Sequence, residues 1–101
     1  MPRSIAIIPT SRGSRYLQQL CKHWAHRFAV QFDHRHGEVE LPLGRIDLAA
    51  SGESLTVLCD VPKGNDIERL KQVLVDHLNR FAFREGELMF DWKEPAEQSQ
   101  E

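Results

Sequence analysis

Five histidines stand in a chain of 101 residues, and two of them, His23 and His26, fall three residues apart in a helix-type pattern. Side chains at that spacing can converge on one ion. No His-Glu-x-x-His pattern accompanies them, no carboxylate lies beside them in the helix, and Cys21 and Cys59 show no Cys-x-x-Cys spacing. The expectation is therefore surface histidines without a metal, with a His23/His26 metal site as the alternative. A second group is His77, Arg80 and Arg84, which project beside the apolar stripe of a later helix, with Tyr16 and His23 on the corresponding flank of the first. Were the two helices neighbours, these five residues would line a groove for an anion or a carboxylate-bearing ligand, because guanidinium groups bind such oxygens with charge-assisted hydrogen bonds. The competing expectation is a seam in which Arg80 or Arg84 pairs with Glu85 or Glu87 and His77 bonds a carbonyl.

No catalytic residue is nominated. The chain holds no Gly-x-Ser-x-Gly elbow, phosphate-cradling glycine loop or dinucleotide fingerprint, and no cofactor is called for. Ser4, Ser11, Ser14, Ser51 and Ser54 sit where caps and turns want hydroxyls.

The elements that must position these residues follow from periodicity. Ile5 and Ile7 with their neighbours read as a first strand closed by Pro9. A helix follows, N-capped by Ser11, with Tyr16, Leu17, Leu20, Cys21, Trp24 and Phe28 recurring at three- and four-residue spacing. From Val30 the period becomes two: Val30/Phe32, Val39/Leu41, Ile46/Leu48, then Leu55, Val57, Cys59 and Val61, separated by turns carrying Gly37, Gly44 and Gly52. Asn65 and Glu68 resemble a capping box opening a helix with Ile67, Leu70, Leu74, Leu78 and Phe81 on one face. Leu88, Phe90 and Trp92 predict a closing strand.

The order β-α-β-β-β-β-α-β makes this an α+β chain, and its economical packing is one antiparallel sheet with both helices on the same face. The other face carries Gln31, Glu38, Glu40, Arg45, Asp47 and Asp91, with Leu58 and Met89 as apolar groups that would let a homodimer cover it. Residues 1–93 are expected to form a single domain and 94–101 a disordered tail. Apolar residues make up 41% and charged residues 28%, ordinary for a globular protein, and the net charge of −2 with scattered basic residues argues against a nucleic-acid partner. No run is long enough for a membrane span or a secretory leader, so a cytoplasmic location is expected.

Two stretches, Ser14-Arg15-Tyr16-Leu17-Gln18-Gln19-Leu20-Cys21-Lys22-His23-Trp24-Ala25-His26-Arg27-Phe28 and His77-Leu78-Asn79-Arg80-Phe81-Ala82-Phe83-Arg84-Glu85, carry a resemblance. With Phe32-Asp33, Gly44-Arg45 and Asp91-Trp92, they resemble the bacterial family called domain of unknown function 2218 over about residues 5–92. The resemblance implies a small α+β domain of TATA-binding-protein-like type and an association with siderophore-interacting flavin reductases. It thereby implies a non-enzymatic accessory or ligand-binding role in iron and siderophore utilisation, with an anionic ligand or a siderophore-related protein as partner. The alternative is a small enzyme or metal-binding protein using the histidine-rich first helix.

Overall fold

The alternating middle of the chain folds as a meander of four strands. In the computed structural model, which describes residues 3–86 and 88–93, β2 (Ala29–Phe32), β3 (His36–Leu41), β4 (Gly44–Ala50) and β5 (Ser54–Asp60) pair antiparallel in sequence order. Val39 lies opposite Ile46 and Leu48 opposite Val57, so the inward residues stack across the strands. β1 (Arg3–Pro9) joins the far side of β5, and β6 (Asp91–Lys93) pairs with β1, giving one six-stranded antiparallel sheet in the order β2-β3-β4-β5-β1-β6.

Register decides the phase of β1. Ala6 opposes Val57 and Ile8 opposes Leu55, so these two are buried, while Ile5 and Ile7 lie on the open face and Ile7 is 57% exposed. A one-residue slip would bury the wrong set. The open face thus carries Ile5, Ile7 and Leu58 among charged neighbours.

Helix α1 (Gly13–Trp24) buries Tyr16, Leu17, Leu20, Cys21 and Trp24 against the sheet, and α2 (Ile67–Phe81) buries Leu70, Leu74 and Leu78 beside it. Both stripes join one cluster with the inward strand residues, so the helices cover the same sheet face. Close approach here rests on Gly37, where a Cβ would come within 2.8 Å of Cys21 Sγ. Gly37 was expected to serve a turn; instead it lies in β3 under α1, and positive φ among the described residues occurs only at Gly64 and Gly86.

The helix ends depart from expectation. The N-cap of α1 is Arg12, without a side-chain cap, because Thr10 Oγ1 takes the Arg12 N–H (3.0 Å) and Ser11 is left outside. Asp66, not Asn65, caps α2: its Oδ1 accepts from the N–H groups of Glu68 (3.0 Å) and Arg69 (3.3 Å). Asn65 belongs to a turn closed onto the Pro62 carbonyl and donates its side-chain amide to Leu43 O (3.2 Å). α1 also stops at Trp24, four residues before Phe28, whose N–H bonds the Trp24 carbonyl.

After Phe81 the chain makes a 3-10 turn, Phe83–Glu85, before reaching β6. The closing strand is shorter than predicted. Leu88 is buried and its N–H bonds Asn79 Oδ1 (3.2 Å), whereas only Trp92 of the expected trio lies within β6, opposite Ala6 and stacked on Phe90. The predicted tail, 94–101, lies outside the described residues. Among the described residues no helix is long and apolar enough to cross a membrane.

Candidate functional site: an arginine-lined pocket

One flank of α1 carries exposed Arg12, Arg15 and Gln19 beside buried Tyr16, at offsets of three, seven and four, which a helix places on one side. Facing it are Phe81 at the end of α2 and Phe83 and Arg84 from the 3-10 turn; together they enclose a pocket of about 500 Å³. The facing wall exists because α2 cannot continue. Ala82 leaves the helical region (φ −97°, ψ 18°), Glu85 N–H closes onto Ala82 O (2.8 Å), and Gly86 turns the chain away at φ +85°.

Three arginines line this pocket and, among the described residues, no carboxylate does. An acid beside it is occupied: Glu85 Oε2 accepts hydrogen bonds from the hydroxyls of Tyr16 and Thr10, the latter at 2.9 Å. Tyr16 is buried, and burial pushes its phenol above the ordinary range; the Glu85 bond pushes the same way while Arg12 opposes it. The hydroxyl therefore stays protonated and donating. The first turn of α1 also carries no acidic residue, so nothing on it offsets the positive pole of the helix. Arg84 lies with its guanidinium carbon 5.4 Å from the Phe83 ring centroid, a cation placed over an aromatic face.

One turn beyond Gln19 the helices meet through rings. His23 and His77 have centroids 5.3 Å apart, Trp24 lies 5.0 Å from His77, and Phe81 lies 6.1 Å from His23. His77 Nδ1 sits 2.8 Å from the Val73 carbonyl, which can only accept, so Nδ1 carries the proton.

Of the five residues nominated from sequence, Tyr16 and Arg84 line the pocket, His23 and His77 meet at the seam beside it, and Arg80 is exposed outside the lining. Arg84 does not share the α2 flank with His77 and Arg80, because the 3-10 turn intervenes. Glu85 pairs with hydroxyls where an arginine partner was anticipated, and Glu87 lies outside the described residues. His26 follows the end of α1, so the pair His23/His26 does not share a helix face. Among the described residues no three His, Cys, Asp or Glu side chains are grouped to hold a metal. Burial raises Cys21 to about 11 and Cys59 to about 12, leaving both as thiols at neutral pH. Sequence reasoning passed over Arg12, Arg15, Gln19 and Phe83. The first three were visible as a helical-spacing set, and Phe83 became legible only with the break at Ala82.

A family model described as "Uncharacterized protein conserved in bacteria (DUF2218)" matches residues 5–93. Among solved structures, the chain is similar to the NMR structure of PA4090 from Pseudomonas aeruginosa, at 29% identity and a TM-score of 0.76, covering 92% of this chain and 96% of that one. No curated protein matches the chain.

Proposed function

The chain belongs to the bacterial DUF2218 family, and we propose that it is a small ligand-binding domain that seats an anionic, ring-bearing molecule between α1 and the 3-10 turn. The observation that carries this reading is the pocket lined by Arg12, Arg15 and Arg84 with two phenylalanines and, among the described residues, no carboxylate. Guanidinium groups pair with carboxylate, phosphate or catecholate oxygens through directed hydrogen bonds, and phenylalanine faces accept a planar ring. The same groups favour binding over catalysis: arginine stays charged and exchanges no proton at neutral pH. The association with siderophore-interacting flavin reductases that the resemblance implies makes a ferric catecholate the first ligand to try, since it would pair with the arginines by charge and with the phenylalanines by stacking.

The test is a thermal-shift screen at low salt with benzoate, inorganic phosphate and a ferric catecholate, followed by titration of the best binder. Arg12→Gln, Arg15→Gln and Arg84→Gln should each weaken it by about 1–3 kcal/mol while the melting temperature of the free protein holds, as loss of a charge-assisted hydrogen bond requires. Early melting of all three variants with no ligand effect would make the arginines structural and end the proposal.

A further inference from the structure

Away from the arginines, the seam between the helices brings together two imidazoles that the anion pocket does not use. We infer that His23 and His77 form a two-imidazole site for a borderline divalent transition ion, zinc(II) by its tetrahedral geometry, with copper(II) as the tighter-binding probe. Two imidazoles bound through a ring nitrogen at about 2.0 Å place their centroids about 3.2 Å from the ion, and a near-tetrahedral angle then separates the centroids by about 5.2 Å. The observed separation is 5.3 Å, with the rings tilted at 50°.

The second observation is the state of the nitrogens. His77 Nδ1 donates to the Val73 carbonyl, the outer hydrogen bond that fixes tautomer and ring orientation in ligating histidines and leaves Nε2 with its lone pair for a metal. His23 has no hydrogen-bond partner among the described residues, and it is exposed, so an ion has a path in from solvent. With two protein ligands the remaining positions go to water or to a chelating anion, and the order of affinity follows the general rise toward copper. The pair lies on two different elements, α1 and α2, so it differs from the intrahelical pair that the sequence suggested. It is also independent of the anion reading, since neither histidine lines the pocket.

Trp24 supplies the readout, because its ring lies 5.0 Å from His77 and bound copper(II) quenches a neighbouring indole. In a Trp92→Phe background, which leaves Trp24 as the sole tryptophan, titration of the chelator-stripped protein with copper(II) chloride should quench its fluorescence saturably at one ion per chain. His23→Gln should weaken that binding about tenfold or more, as lost ligation does, while His26→Ala leaves it unchanged. His23 is exposed, so its substitution does not endanger the fold, and His77→Gln provides a second check where circular dichroism shows native structure. Absence of saturable quenching in the His77-intact protein, equal affinity in His23→Gln, or loss of binding in His26→Ala would each overturn the assignment.

Discussion

On the open face of the sheet Arg45 reaches Glu38 (3.1 Å), Glu40 (3.5 Å) and Asp47 (3.1 Å), whereas around the pocket Arg12, Arg15 and Arg84 stand together beside aromatic rings. The difference is one of architecture. Neighbouring strands set opposite charges about 5 Å apart, so β3 and β4 neutralise their own cation by cross-strand pairing. The pocket walls come from separate elements, and Glu85 beside them is taken up by two hydroxyls. Arg45, held above its ordinary range first by its bond to Asp47, is part of the fold's own electrostatics. Among the described residues the pocket arginines have no ion-pair partner to match Arg45's, and Arg12 acts instead on the Tyr16 hydroxyl.

The comparison would break first if the covered side were not the rigid one. Trp24 is 5% exposed and Phe81 only half-buried, although both fall on the inward stripes. Trp24→Ala should cost about 3–5 kcal/mol in chemical denaturation, as for a fully buried large aromatic, and Phe81→Ala clearly less. Equal losses would place Phe81 in the core and remove it from the pocket wall.

Glu85 sharpens the contrast at intermediate cost. Glu85→Ala leaves the buried Tyr16 hydroxyl without its acceptor and should destabilise by about 1–3 kcal/mol. Tyr16 is the chain's single tyrosine, so alkaline absorbance titration reads it directly. Its folded-state value lies above 10.0, so folding favours the neutral phenol. The associated stability is complete below the unfolded value near 10 and fades as pH rises through the folded one. In Glu85→Ala the midpoint should fall, because the carboxylate's contributions vanish while burial, opposed by Arg12, remains. An unmoved midpoint would show that the two side chains do not meet.

The smallest effect belongs to Arg45. Arg45 and its two glutamate partners are at least 40% exposed and only Asp47 is less so, at 28%, so Arg45→Gln should cost at most about 1 kcal/mol, less in high salt, and leave ligand binding untouched. Weakened binding in that variant would erase the distinction between the two arginine sets.

Much of this was legible in the residues. Period-two runs in β3, β4 and β5 and the three-four spacing in both helices revealed the α+β sheet with two helices, since burial of one face imposes those periods. The caps were less legible: Thr10 is held by distant Glu85, and Asp66 caps α2 locally while Asn65 is drawn to distant Leu43. The phase of β1 was hidden for a related reason, since Ile5-Ala6-Ile7-Ile8 is apolar throughout and only pairing with β5 selects a side. The site was half legible. Tyr16 sits on the α1 flank from which it was named, whereas Arg84 was named from a helical wheel extended past the true end of α2 and reached the pocket from the 3-10 turn.

The position of β1 between β5 and β6 carries a kinetic consequence. The meander β2–β5 closes through short turns, but β1 must find β5 some fifty residues away, and β6 must find β1 across nearly the whole chain. Loop-closure entropy makes such distant pairings slow relative to hairpins. The 3-10 turn that bears Phe83 and Arg84 lies on the span between α2 and β6, tethered at its far end by that longest closure. Assembly therefore runs from the middle outward, and the arginine pocket takes shape only when the two extremities of the chain have come together.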